Sequence, residues 1–462
     1  MSQPGFRRPP ITRRPAAALT AALVLATASA LPAAAAPTTA PRSASAPSAP
    51  AARSAKDAPA ADDRGYEADG SPISGGSSFA GAPSVEPGRY LDSFTAGTDQ
   101  GWGTMKETKH YRVTLKKGER LIVTGALVPT PSPKATPTTS DSVKSTIELT
   151  DGHGNDCAKW TSNGFSFPNI ADAPQRATAV STVAGTGEDG ECEPGEFVAK
   201  VTREGNLKQS ETMPMELVFA VEAPAPSPMP PEPEWDDEPA VPAPTAGSAK
   251  DDVTALGRSR NSAPILKPGS YVIELRPGET RIAGVDVNEG QRLSWSISPL
   301  DAGEIEGTWN KAEVMILNPL GQEVYDPDEN ASTTVNLDSS TGDYLGSAMP
   351  TPVTLGNQRT DADKEQASNW LGGTHTLQLS TKADALDEPD TTKPRRVVLT
   401  LAVDGTAGEN ADVDYGKTRA EQEQAVSRAT WLRRGLFVGA GVLGLVAVGS
   451  GIAAFTALRR RS

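Results

Sequence analysis

The feature that most constrains the fold is a series of short apolar stretches that alternate with polar residues and occur twice along the chain. Turns containing glycine or proline separate them, so each is about as long as one strand. Alternation with period two places one face of every strand in a core. The corresponding groups, first copy against second, are Pro87-Gly88-Arg89-Tyr90 with Pro268-Gly269-Ser270-Tyr271; Tyr111, Val113, Leu115, Gly118, Leu121, Val123 with Ile282, Val285, Val287, Gly290, Leu293, Trp295; Ile147, Leu149, Gly154 with Val314, Ile316, Gly321; Gly195, Phe197, Ala199, Val201 with Gly373, His375, Leu377, Leu379; and Met215, Leu217, Phe219, Val221 with Val397, Leu399, Leu401, Val403.

This pattern predicts a mainly β protein with two tandem β-sandwich domains of jelly-roll-like type. We place the first sandwich at residues 64–223 and the second at residues 251–406. Each copy is long enough to bury a core of its own.

The two ends of the chain predict export and anchoring. Residues 1–36 have a basic start, a small apolar stretch and an Ala-x-Ala cleavage site, which is typical of a secretory signal peptide. The uninterrupted apolar run from Gly435 to Leu458 is long enough for a helix that crosses a bilayer. The basic tail at 459–462 follows it, so we expect a single-pass protein of the cell membrane with an extracellular ectodomain and a short cytoplasmic C-terminus.

The remaining segments are predicted to connect these parts. Residues 37–63 are rich in Ala, Pro and Ser, a composition that favours a disordered lead. Residues 224–250 form a Pro-rich linker, which we expect to be extended and semi-rigid. A short linker at 407–416 leads into a charged juxtamembrane helix at 417–434.

Charge excludes one class of partner. The formal net charge is −14, and nine arginines lie at the two ends with no acid beside them, so the segment from 15 to 432 carries about −23. Such a surface repels nucleic acid and other anionic polymers. We therefore expect no nucleic-acid partner.

The two cysteines predict a disulfide rather than a metal or redox site. Cys157 and Cys192 both lie in the first copy, and thiols outside the membrane oxidise. Their spacing is not that of a Cys-x-x-Cys motif, and no histidine cluster adjoins them. The second copy has no equivalent pair and depends on packing alone.

Candidate catalytic and metal-binding residues are few. The three histidines are His110, His153 and His375, and their spacing fits no metal motif; His375 stands where the first copy has Phe197, so we expect it in a core or at its rim. A Ser-His-Asp triad stays open, although no Gly-x-Ser-x-Gly motif supports one. The turn at 151–156 offers oxygen ligands for calcium, but its Asp-Gly and Gly-Asn pairs are also ordinary hairpin residues. We predict no catalytic residue, no metal site and no cofactor.

Five tryptophans lie within the predicted domains, several of them next to polar loops. Tryptophan at such positions suits stacking on sugars, although a place in a core is the commoner role. They are Trp102, Trp160, Trp295, Trp309 and Trp370.

The order Pro-Gly-x-Tyr, strand, glycine turn, strand, Leu-x-Asp-x-x-Gly-Asn-like hairpin and Gly-x-aromatic strand resembles the bacterial pre-peptidase C-terminal domain, a β-sandwich accessory module. Similar tandem modules occur in secreted, membrane-anchored proteins of actinobacterial type, some with a von Willebrand factor type A domain. The resemblance covers residues 73–223 and 262–404, without a peptidase domain or an Asp-x-Ser-x-Ser metal site. It implies a fold and a role in binding or spacing.

Two functions remain open at this stage. The first is an anchored surface protein, not an enzyme, that presents its sandwiches to an envelope protein or a glycan. The alternative is a membrane-tethered secreted hydrolase, active on peptides or glycans, with its site in the long loop insertions. Small residues in the anchor, among them Ala440, Gly444 and Ala447, also predict a weak homodimer.

Overall fold

A computed structural model describes most of the region between residues 65 and 416. The described residues are 65–97, 99–101, 104–129, 142–166, 173–185, 192–205, 211–225, 243–245, 250–276, 278–300, 311–324, 333–336, 345–359, 368–381 and 394–416. All of the described residues belong to one compact unit.

The described part is mainly β, as predicted, with one 3-10 helix at Leu355–Arg359 and no α-helix. The strands are β1 (Ser71–Pro72), β2 (Gly88–Phe94), β3 (Asp99–Gly101), β4 (Thr104–Leu115), β5 (Arg120–Leu127), β6 (Val143–Asp151), β7 (Ala158–Ser162), β8 (Gly164–Ser166), β9 (Gln175–Ser181), β10 (Gly195–Gly205), β11 (Met213–Glu222), β12 (Lys250–Val253), β13 (Ile265–Leu266), β14 (Gly269–Leu275), β15 (Thr280–Val287), β16 (Gln291–Pro299), β17 (Lys311–Leu317), β18 (Thr333–Asn336), β19 (Leu345–Ala348), β20 (Gly373–Thr381), β21 (Arg395–Gly405) and β22 (Val413–Asp414).

Four sheets enclose two cores. Sheet 1 has the order β1-β2-β11-β5-β9-β7, with β22 added to β11, and sheet 2 has the order β3-β4-β10-β6-β8. Together they form the N-terminal pair, whose shared core contains Phe94, Tyr111, Phe197 and Phe219. Sheet 3 has the order β12-β14-β21-β16-β19 and sheet 4 the order β13-β15-β20-β17-β18; they form the C-terminal pair around Trp295.

The strand order of the two pairs agrees with the repeat in the sequence. The central strands β2-β11-β5 and β4-β10-β6 of the N-terminal pair match β14-β21-β16 and β15-β20-β17 of the C-terminal pair. Every antiparallel pairing among them has its counterpart. The domain boundaries at 223 and 251 stay predictions, because both pairs lie in one compact unit.

Local contacts repeat as well. The hydroxyl of Tyr90 donates to the carbonyl of Glu86 at 2.9 Å, and that of Tyr271 donates to the carbonyl of Lys267 at 2.7 Å. Gly321, at the turn matching Gly154, has φ of +87°, a conformation that favours glycine.

Ile282, a core residue in the sequence pattern, does not face the core of the C-terminal pair. Ala283, Val285 and Val287 of β15 point into the core of the C-terminal pair. Ile282 points to the opposite face and clusters with Tyr66 and Val128. Its side chain is buried by residues of the N-terminal copy, one before β1 and one directly after β5.

The apolar outer face of sheet 1 is covered by loops of the C-terminal pair. Ile122, Val218 and Ala220 point away from the core of the N-terminal pair yet are buried. They cluster with Leu320, Leu355, Trp370 and Leu371. We call this cluster, with the polar contacts around it, the joint.

Polar contacts fix the register of the joint. The hairpin after β17 offers two carbonyls: Pro319 accepts from Nη2 of Arg89 at 2.6 Å, and Leu320 accepts from the Thr124 hydroxyl at 2.6 Å. The Glu216 carboxylate accepts from the Tyr66 hydroxyl at 2.9 Å. Burial raises the pKa of Glu216 and lowers the pKa of Arg89 to about 10, since both charges have left bulk water.

The segment after β21 returns to the N-terminal pair. Strand β22 pairs antiparallel with Val221 and Glu222 at the end of β11, and Arg89 lies over the ring of Tyr415 at 5.6 Å. This segment, 411–416, is the strap. It falls in the stretch predicted as a loose linker at 407–416, and a two-residue strand interrupts that linker.

Several predictions fall outside the described residues. They concern the signal peptide at 1–36, the lead at 37–63, most of the linker at 224–250, the helix at 417–434, the anchor at 435–458 and the tail at 459–462. Among the residues that are described, no helix combines the length and apolar character needed to cross a bilayer.

Replacing His375 with Phe should remove part of the acid sensitivity of the fold. His375 is fully buried, its Nε2 has no hydrogen-bond partner in the described part, and burial lowers its pKa to about 4. The unfolded chain takes up a proton below about pH 6.5 while the folded chain does not, so stability falls as pH drops from about 6.5 to about 4, by about 3 kcal/mol on account of this residue.

Urea unfolding at pH 7.5 and pH 4.5 measures this contribution. Phe stands at the matching position 197, so His375→Phe should keep the core filled and lose less stability on acidification than the wild type. Equal losses in the two proteins would show that another group controls the acid response.

Trp370→Ala should destabilise the two sheet pairs together. Trp370 is almost fully buried in the joint, and truncating a buried tryptophan costs about 3–5 kcal/mol. We expect one cooperative denaturant transition in the wild type and an earlier midpoint in the variant. Leu300→Ala, at an apolar residue that is 43% exposed, is the control and should change little. Two separate transitions in the wild type would contradict coupling through the joint.

Candidate binding groove

A groove lies at the side of the N-terminal pair, where the edges of its two sheets separate. Strand β8 pairs with β6 only at Val143–Ser145, and β7 pairs only with β9. The remaining length of β6 and the strand β7 therefore face each other across the opening. The groove has a volume of about 530 Å³, within the range of roughly 300 to 1,000 Å³ typical of small-ligand sites.

Trp160 is the aromatic residue of this groove. It lies on β7, is half-buried, and its indole N–H is shielded from water with no acceptor in the described part of the chain. An unmet buried donor costs about 1–3 kcal/mol, and because this N–H is shielded it is not presented to a ligand in the groove either. By contrast, Trp295 and Trp370 fill a core and the joint, and Trp102 and Trp309 lie outside the described residues.

The other side chains of the groove are polar. Strand β6 contributes Thr146, Glu148 and Thr150 from its outward face, because Ile147 and Leu149 between them point into the core. The second wall contributes Asp156, Lys159, Thr161 and Asn163. The groove thus combines one aromatic ring with hydroxyl, amide, carboxylate and ammonium groups.

The disulfide lies beside this groove. Cys157 and Cys192 are bonded, with an S–S distance of 1.97 Å and Cα atoms 5.9 Å apart, which confirms the predicted pairing. Cys157 directly precedes β7, and its backbone N–H donates to the carbonyl of Leu149 in β6 at 2.9 Å. The bond therefore holds the start of the Trp160 strand to the rest of the N-terminal pair.

The turn considered for calcium is a hairpin closed by its own aspartate. Asp151 Oδ1 accepts from the backbone N–H groups of His153 and Asn155, each at 2.9 Å, and Oδ2 accepts from the Asn155 amide at 2.8 Å. Burial opposes the charged form, but these donors outweigh it and lower the pKa of Asp151. Asn318 makes the same backbone contacts in the second copy, with Leu320 and Gln322, which supports the hairpin interpretation.

One cluster of metal-type ligands occurs among the described residues, formed by Asp151, Cys157 and Cys192. Both sulfurs are tied up in the disulfide, so neither is a thiolate ligand.

The histidines are far from alike in exposure. His375 is buried, as expected for the counterpart of Phe197, and its Nδ1 faces the carbonyl of Gly373 at 3.1 Å. His153 is exposed on the hairpin, and His110 lies against the carbonyl of Gly76 at 3.3 Å. The structure does not place any of them in the groove.

Trp160 and the turn at 151–156, which contains Asp156, stood out in the sequence, whereas the other polar lining residues did not: Thr146, Glu148, Thr150, Lys159, Thr161 and Asn163. On a strand whose alternate residues are apolar, such polar residues read as an ordinary solvated face. Only the approach of β7 turns that face into one wall of a groove.

Comparison with known proteins gives weak matches only. No protein-family model matches the chain, and no curated protein matches it. Similar solved structures include the tandem CBM51 modules of a family 98 glycoside hydrolase from Streptococcus pneumoniae, at 11% identity and a TM-score of 0.17 over 65% of this chain and 81% of that chain. The extracellular domain of ANXUR1 from Arabidopsis thaliana aligns at 9% identity and a TM-score of 0.17 over 71% and 92%.

A structure of the infectious bursal disease virus Gt strain aligns at 12% identity and a TM-score of 0.19 over 68% of this chain and 76% of that chain. TM-scores this low establish neither a shared fold nor a function. The resemblance to pre-peptidase C-terminal modules stays a prediction.

Proposed function

We propose that this chain is an exported, single-pass membrane protein that presents two β-sandwich modules at the cell surface and binds an envelope component, without catalysing a reaction. The observation that carries the binding role is the groove around Trp160, which has the volume and mixed lining of a ligand site. The sheet pairs correspond to the two modules.

The joint supports presentation of the groove in a fixed orientation. Residues Ile122, Val218 and Trp370 are buried between the two sheet pairs, so relative motion of the pairs would expose apolar surface. A rigid body on a tether is better suited to a surface receptor or spacer than to an enzyme that depends on hinge motion.

Anchoring rests on the sequence. The signal-like segment 1–36 and the apolar run 435–458 fit export followed by retention in the membrane. Resemblance to pre-peptidase C-terminal modules supports the same class of accessory protein.

Protease treatment of intact protoplasts tests the orientation. With a tag added after Ser462, we expect the sheet pairs to be digested while the tag stays protected, because the arginines at 459–461 hold that end inside. Permeabilised protoplasts are the control and should lose the tag. Loss of the tag from intact protoplasts would reverse the orientation.

Binding of the detergent-solubilised full chain to isolated cell envelopes tests the function. We expect saturable binding that Trp160→Ala weakens at least tenfold, because that change removes the aromatic surface of the groove. Leu300→Ala, at an exposed residue outside the groove, serves as the control. Absence of saturable binding, or equal binding by both variants, would overturn the proposed role of the groove.

A further inference from the structure

We propose that the groove binds a neutral pyranose oligosaccharide, with one sugar ring stacked on Trp160. This inference rests on the proposed binding function and names the class of ligand.

The lining of the groove matches the two sides of a sugar ring. A pyranose presents a face of C–H groups and a rim of hydroxyls. Trp160 supplies the aromatic residue of the lining, and Thr146, Thr150 and Thr161 add hydroxyl-bearing side chains to the same groove. A purely apolar ligand would leave these hydroxyls without water or partner.

The charged residues of the groove also bear on the class of ligand. Glu148 and Asp156 both line the groove, and a carboxylate accepts hydrogen bonds from sugar hydroxyls. Both oxygens of Glu148 accept from Lys200 Nζ, at 3.2 and 3.0 Å, but the side chain is more than half exposed and each oxygen can accept a further hydrogen bond. With Lys159 in the lining and Lys200 paired to Glu148, the groove itself is close to neutral, while the strongly acidic ectodomain around it disfavours an anionic polysaccharide, so a neutral glycan suits it better.

The irregular edge of β7 favours a glycan over an extended peptide as the ligand. A peptide that adds to a sheet edge needs a regular row of backbone groups. Strand β7 is five residues long, and its pairing with β9 shifts register between Ala158 and Trp160. An irregular, short edge resists strand addition. The side chains of this groove are therefore its better recognition elements.

The C-terminal pair lacks this combination. On β17, which matches β6, Met315 stands at the position of Glu148 and Leu317 at that of Thr150. In the same register, Pro327 occupies the place of Trp160 in the sequence. The hairpin beside these positions serves the joint instead, so within the described part of the chain we assign the glycan groove to the N-terminal pair.

Calorimetric titration of the detergent-solubilised full chain tests the proposal. The probes are chitohexaose and cellohexaose as neutral pyranose chains, with hexagalacturonate as the anionic counterpart. We expect saturable binding of at least one neutral hexamer with one site per chain, and at least tenfold weaker binding of hexagalacturonate. Trp160→Ala should lower the affinity for the neutral hexamer at least tenfold, and Trp160→Phe should recover part of the loss.

A second variant protects the test against a folding defect. Glu148→Gln, at an exposed carboxylate, should weaken binding severalfold, while Glu313→Gln on the matching strand β17 removes the same charge outside the groove and should leave binding unchanged. Binding that neither Trp160→Ala nor Glu148→Gln alters would overturn the site. Saturable binding to envelopes without binding of either neutral hexamer would overturn the glycan class and leave the surface-binding function standing. Envelope binding lost by protease treatment of the envelopes alone would identify a protein ligand instead.

Discussion

The burial of the outer face of sheet 1 is the interaction on which the rest of the structure depends. A strand that is apolar on both faces needs two cores, and the loops of the C-terminal pair supply the second one. Leu320 and Trp370 cover Ile122 and Val218, and the carbonyls of the covering hairpin meet Arg89 and Thr124. Such buried donors and charges are costly unless the partner surface is in place. The joint is thus stabilised both by apolar burial and by polar contacts that hold the two sheet pairs in register.

This contact makes two copies of one sequence pattern unequal. Both copies carry the same hairpin closed by an Asp or Asn side chain, yet Gly152 and His153 stay exposed in the first copy while Pro319 and Leu320 are buried in the second. In the second copy, the end of this hairpin packs in the joint. The first copy keeps its corresponding end free, and the groove with Trp160 adjoins it.

Much of the fold could be predicted from the sequence, because local patterns determine it. The alternation of Leu217 and Phe219 with their neighbours predicts a strand, and the paired glycine turns predict the repeat. The disulfide followed from the absence of any other cysteine partner. The joint was missed, although Val218 and Ala220 carry its signal: they make the centre of β11 apolar on both faces, which indicates a strand covered on both sides.

The groove was predictable only in part. Trp160 stood out as an aromatic residue beside polar loops, but the sequence does not distinguish it from Trp295, which is a core residue. Glu148 lines the groove only because β7 approaches β6, and these two strands belong to different sheets. Positions of this kind depend on tertiary geometry, which alternation along one strand does not encode.

The strap also bears on the order in which the protein assembles. If the chain is exported from its N-terminus as proposed, the strands of the N-terminal pair leave the export channel long before Leu320, Trp370 and finally Val413 follow. Throughout that interval the apolar face of sheet 1 has no cover and is open to misassembly. Its last covering segment, 411–416, emerges shortly ahead of the segment predicted to enter the membrane, with only residues 417–434 between them. Completion of the ectodomain and arrest of translocation would then be nearly simultaneous, so that the surface is sealed just as the chain is anchored.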